Sequence, residues 1–129
     1  MRHTPPEFVE ITPELRERIE KFRAEHEGDP IGKVANHVLF EDENVRIWEM
    51  KLAPGEHSDL HRHDHDYYLV IDSGDLVAGI PPKSSGMDAF VGKVPAQGNT
   101  VAVPKGGVEW ALNVGKKTYH EILIELKKR

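Results

Sequence analysis

The sequence predicts an all-β sandwich or barrel preceded by one amphipathic helix. Three observations carry this reading. From residue 34 onward, short β-prone runs alternate with turn signals, seven to nine of them in about 95 residues. Ahead of them stands a single stretch with helical spacing. The whole chain of 129 residues is the size of one domain with one real core.

The elements follow in order. Residues 1–11 contain prolines and are expected to lie extended against the body. Thr12-Pro13 is a helix start, a hydroxyl at the N-cap with proline at the first helical position. Leu15, Ile19, Phe22 and His26 then recur at helical spacing, and Gly28 with Pro30 ends the run, so a helix is expected over about residues 13–27. Its apolar stripe is the kind that packs on a larger body or a partner. Strands are expected at 34–40, 45–52, 61–71, 76–80, 90–94, 100–103, 108–114 and 118–126. Trp48, Met50 and Leu52 share one face of the second of these. The segment 81–89, with two prolines, two serines and a glycine, is the expected flexible loop. The division is thus an N-terminal extension over 1–33 and a barrel over 34–129.

Composition removes several function classes. With 17 basic and 22 acidic side chains the net charge is -5, so no overall field attracts nucleic acid. The basic end Lys127-Lys128-Arg129 is expected to be a short solvated tail. Mean hydropathy is -0.54 and no apolar run approaches the length of a membrane span. The first residues lack the apolar stretch of a secretory signal, and a cytoplasmic location is the expectation. The absence of cysteine removes disulfides, thiolate ligands and a cysteine nucleophile together. No nucleophile-elbow serine, phosphate loop or dinucleotide fingerprint is present.

What stands out is histidine: eight in all, with His57, His61, His63 and His65 close together. Alternate residues of a strand face the same way, so His61 and His63 point together and can grip one metal ion from a rigid platform. His65 and Tyr67 continue that face if the strand runs straight.

The segment Gly55, His61, His63 and Gly74 resembles the first cupin motif, G-x5-H-x-H-x3,4-E-x6-G, with Tyr67 at the glutamate position. Gly98, Pro104, Gly106 and Asn113 resemble the second, G-x5-P-x-G-x2-H-x3-N, with Glu109 at the histidine position. The stretch HRHDHDYYLVI and the ending EILIELK are most similar to small single-domain cupins named for β-alanine degradation, a weaker likeness. The resemblance covers roughly residues 34 to 127 and implies the double-stranded β-helix, or jelly-roll barrel. It also implies a homodimer. Its glycines stand where strands turn corners, where positive φ is often needed.

Typical cupins hold a divalent metal with three histidines and a glutamate. Here the resemblance implies His61, His63 and Glu109, two histidines and a carboxylate, with Tyr67 as a fourth ligand, an acid/base group or a hydroxyl that orients substrate. That donor set suits Fe(II), Mn(II), Zn(II) or Ni(II). The pair Gly106-Gly107 would allow a one-residue shift that puts Trp110 at the third-histidine position, and an indole cannot ligate; the spacing from Pro104 and to Asn113 favours Glu109. His120 shares its strand face with Ile122 and Ile124 and is expected to look into the barrel, as a core histidine or a secondary site residue. His57 is expected at the barrel mouth, and His37 has no clear strand phase. Arg62 would contribute only if a loop turned it inward.

Two functions follow. One is a metal-dependent enzyme, with Tyr67 and Glu109 as catalytic candidates, acting on a small anionic organic molecule. For it, oxygenase (dioxygenase) chemistry is slightly favoured over lyase, decarboxylase or isomerase chemistry. The other is a non-catalytic cupin that binds or senses a small molecule with weak or no metal.

Overall fold

The structure, a computed structural model, describes residues 3–128. Thr12 caps helix α1 (Pro13–Glu25), its Oγ1 accepting from the Leu15 amide at 3.2 Å, with Pro13 in the first turn. Gly28, at φ 87°, turns the chain away two residues beyond the C-cap His26. The described residues also form ten strands: β1 (Glu7–Val9), β2 (His37–Glu41), β3 (Val45–Leu52), β4 (His61–Arg62), β5 (Tyr67–Ser73), β6 (Leu76–Ile80), β7 (Phe90–Lys93), β8 (Asn99–Val103), β9 (Val108–Asn113) and β10 (Tyr119–Leu126).

They form two five-stranded antiparallel sheets, β1-β7-β6-β9-β4 and β2-β3-β10-β5-β8. Trp48, Met50, Leu52, Tyr67, Tyr119 and Leu123 fill the space between them. A second core lies on the outer side of the first sheet, where α1 lays Ile19 against Ala78, Ile80, Val91, Trp110 and Leu112. The sheet is therefore buried on both faces, and its side chains divide by alternation: Glu109, Ala111 and Asn113 inward, Trp110 and Leu112 outward. No helix among the described residues is long and apolar enough to cross a membrane.

Several expectations change. The run 61–71 is two strands in different sheets, because the chain crosses over at residues 63–66. The segment before residue 34 supplies both the edge strand β1, paired with β7, and the helix that covers that sheet. The loop 81–89 is tied to α1: the Arg23 guanidinium donates to the carbonyls of Pro81 (2.9 Å) and Met87 (3.1 Å), and Arg16 pairs with Asp88 (2.7 Å). Lys127 is no solvated tail, since its Nζ bonds Glu41 at 2.7 Å; Arg129 lies outside the described residues.

The largest revision concerns β10. Tyr119, Glu121, Leu123 and Glu125 face the barrel, whereas His120, Ile122 and Ile124 face outward. The polar inward positions are satisfied there: Glu125 accepts from Trp48 Nε1 and Arg46 Nε, and Glu121 from the Tyr119 hydroxyl. Outward, Phe40, Ile47, Ile124 and Tyr68 fall in one register row, with Phe40 and Tyr68 exposed.

Candidate metal centre

The site grows from strand pairing. β4 and β9 pair with His61 directly opposite Glu109, which puts an imidazole and a carboxylate side by side on the inner face. The short strand is prolonged by backbone bonds on both sides of His63: its amide donates to the Gly107 carbonyl (2.9 Å), and the Gly106 amide donates to its carbonyl (2.8 Å). His63 therefore keeps the phase of His61, and both are only 3% exposed. Gly106 makes this turn at φ 114°, which a side chain would resist. Donor atoms of His61, His63 and Glu109 lie within 4.8 Å of one another.

The chemistry of each donor is set by its neighbours. His61 Nδ1 stands 2.9 Å from the Asp59 carbonyl, an oxygen that can only accept. The proton is thus on Nδ1, and Nε2 carries the lone pair a ligand needs. Burial lowers the His61 pKa, outweighing the Asp59 bond, so the ring stays neutral at physiological pH. His63 Nε2 is 3.8 Å from Glu109 Oε1, while its buried Nδ1 has no hydrogen-bond partner. The ring stacks on Tyr67, centroids 4.1 Å apart at 16°.

Glu109 reaches the cluster because residue 79 is glycine. A Cβ there would come within 2.6 Å of Glu109 Oε2 and 2.2 Å of Phe90 Cζ, so carboxylate and ring share the space a side chain would take. Glu121, which the strand-phase reading missed, lies nearby. Burial pushes its carboxyl up to about 7, aided by the Glu109 charge and opposed by the Tyr119 hydroxyl at 2.6 Å and by His63. Burial, with Glu109 and Glu121, also raises the Tyr67 phenol well above its ordinary value. Tyr67 is therefore a protonated hydroxyl among carboxylates, which suits orientation of a ligand better than proton abstraction.

These residues fit a divalent cation. Two imidazoles and a carboxylate are a common donor set, and one buried ring nitrogen is unpartnered. The charges that shift Tyr67 and Glu121 include no lysine or arginine, unlike Glu125, which is paired with Arg46. Two donors on a tetrahedral ion with bonds of ~2.1 Å stand about 3.4 Å apart, so an ion would draw the cluster inward from its 4.8 Å spread.

Other expected residues lie elsewhere. Trp110 points outward, its Nε1 3.3 Å from Asp29 Oδ2, which answers the register question in favour of Glu109. His57 is not at the barrel mouth; it bridges Leu112 and packs against Phe22 and His26 outside. His65 sits in the crossover between β4 and β5 and is not among the converging donors. His120 lies outside between Glu49 (2.8 Å) and Asp72 (3.1 Å), and His37 pairs with the same Glu49. Arg62 is exposed against Asp64. A cavity of about 360 Å³ lies under α1, lined by Leu60, Trp110 and Arg23, on the far face of β4 and β9 from the donors.

No protein-family model and no curated protein matches the chain. Solved structures do. A cupin domain from Bordetella pertussis Tohama I superposes at TM-score 0.63 with 21% identity, over 78% of this chain and 99% of that one. A double-stranded β-helix protein from Klebsiella pneumoniae gives 0.57 at 18% identity, over 81% and 86%. A cupin superfamily protein from Desulfitobacterium hafniense gives 0.51 at 22%, over 74% and 83%. The fold is the cupin double-stranded β-helix.

Within that cupin fold, Gly55, Gly74, Gly98 and Gly106 all adopt positive φ at the strand corners where both motifs place them. The two departures from the motifs, Tyr67 and Glu109, are both inward-facing and next to His63. Glu109 presents a carboxylate where the motif has an imidazole. Tyr67 replaces a carboxylate with a flat ring that supports His63.

Proposed function

We propose that the chain is a metal-dependent cupin enzyme acting on a small, anionic organic molecule, with His61, His63 and Glu109 holding one divalent ion. The convergence of these three donors on one inner face is the observation that carries this reading. A bound ion would supply Lewis acidity toward a carbonyl or carboxylate or, as iron, redox chemistry with dioxygen. The Asp59 carbonyl keeps His61 in the ligating tautomer, and the Tyr67 ring fixes the plane of His63. Tyr67 offers a hydroxyl proton to a bound oxygen atom, and Glu121, titrating about 7, is placed to take or return a proton inside the barrel. Two histidines with one carboxylate is the donor composition of non-haem iron(II) oxygenases, so oxygen chemistry is assayed first, with lyase or decarboxylase and isomerase reactions after it.

The test is elemental analysis of protein purified without a nickel column. About one equivalent of a single transition metal is expected, and more than 100-fold weaker binding in His61→Ala and Glu109→Ala, beyond the ~10–100-fold cost of losing a supporting hydrogen bond. No metal after reconstitution with iron, manganese, zinc and nickel would sink the reading. The second reading, a non-catalytic small-molecule binder, draws on Tyr67 standing where a fourth ligand is usual; it predicts ligand-linked stability with no metal requirement. A homodimer is proposed on the outer face of the second sheet, where exposed Phe40 and Tyr68 share a row with Ile47 and Ile124; light scattering that returns a monomer overturns it.

A further inference from the structure

The donor cluster is closed on one side and open on another. His61, His63 and Tyr67 are buried, while Glu109 retains partial exposure, its side chain 21% accessible. Beyond Glu109 on the same inner face comes Phe90, whose ring lies over Gly79 beside the carboxylate. The register requires this: Gly79 pairs with both Ala111 and Phe90, and Ala111 and Glu109 alternate on β9. Phe8, opposite Gly92 on β1, shares that face and meets Phe90 edge-on at 5.5 Å and 82°. Both rings stand in solvent, Phe8 62% and Phe90 42% exposed. On the other face of the same strands, Val9 and Val91 are packed into the core under α1. Two aromatic rings left exposed next to a polar, buried donor cluster form an apolar wall leading to it.

We propose that Phe90, backed by Phe8, is the specificity wall of the site, and that the preferred substrate is a small carboxylate or carbonyl compound carrying an aryl or comparably bulky apolar group. This rests on the metal reading above. The polar end of such a molecule goes to the ion and Tyr67, and its apolar end covers the Phe90 ring. A short polar acid such as acetate reaches the donors but leaves the wall exposed. N-terminal strand β1 thereby has a part in substrate choice, because Phe8 holds Phe90 edge-on.

The test uses the full chain loaded with one equivalent of zinc and two probes, acetate and phenylacetate, titrated by ligand-observed NMR. Phenylacetate is expected to bind about tenfold more tightly, the effect of one aromatic contact with partial burial. In Phe90→Ala that preference collapses toward unity while zinc stoichiometry holds; in Phe8→Ala it falls part-way. Equal affinities in the wild type, or an undiminished preference in Phe90→Ala, overturn the proposal alone. A change of oligomeric state in Phe90→Ala without a change in preference also overturns it, assigning the rings to a contact between copies. Where zinc is not taken up, the same titration uses whichever of iron, manganese or nickel is; a chain that takes up none of the four overturns the metal reading and this proposal together.

Discussion

The two faces of β9 do opposite work within one strand. Under α1, the buried polar groups are provided for: Arg23 donates to two loop carbonyls and to Glu20, and Trp110 Nε1 faces Asp29. One residue earlier in the chain and on the inner face, Glu109 sits with an unpartnered imidazole nitrogen, a phenol and the Glu121 carboxyl that has only a hydroxyl for company. The outer core has the satisfied packing that holds a fold together. The inner cluster carries polar groups whose burial costs stability and one buried ring nitrogen, His63 Nδ1, with no partner, which is the condition of a site that receives something.

Substitutions that separate stability from binding sharpen this contrast. The largest effect is expected on the outer side: Trp110→Ala removes a buried indole and costs about 3–5 kcal/mol in denaturant unfolding, with metal stoichiometry of the folded fraction unchanged. A loss of metal in that folded fraction would show that the faces are not independent. Next comes Glu121 in metal-free protein. Its carboxyl is raised from 4.5 to about 7, so the folded state holds a proton that the unfolded chain releases between those values. The sign is therefore that its contribution is full below pH 4.5 and is lost as pH rises through 7, on the order of 3 kcal/mol. Subtracting the Glu121→Gln stability curve from that of the wild type should leave this descending step; a flat difference refutes it. Smaller again is Gly79→Ala, which pushes a methyl into Phe90 and Glu109, for about 1–3 kcal/mol and weaker metal binding. An alanine variant with unaltered metal affinity would mean that Glu109 does not need the glycine cradle.

The legible parts of the molecule were those set by local chemistry. Thr12-Pro13 marks a helix start because cap and proline act within one turn, and 45–52 and 76–80 read as strands with correct bounds. His61 and His63 were legible from strand alternation, and Glu109 through the resemblance of the segment from Gly98 to Asn113 to the second cupin motif. The crossover at 63–66 was not, since His-Asp-His-Asp continues a period of two that the chain itself abandons. Nor was the phase of β10. It is a central strand, with β3 and β5 on either side, and its outward Ile122 and Ile124 outweigh inward Glu121 and Glu125 in any hydrophobic pattern. Phe8, Gly79 and Phe90 lie far apart along the chain, and only the pairing of β1, β7 and β6 brings them to one place.

Strand β4 is two residues long and ends its sheet, paired only with β9. Such an edge opens at a small fraction of the global unfolding free energy, and its amides would exchange with deuterium early. An ion held by His61, His63 and Glu109 would join that edge to its neighbour by bonds stronger than the ladder. The amides of His61 and His63 would then exchange only when the whole barrel opens, so that loading the site reads out as slow exchange in the shortest edge strand but one of the molecule's simplest pairings.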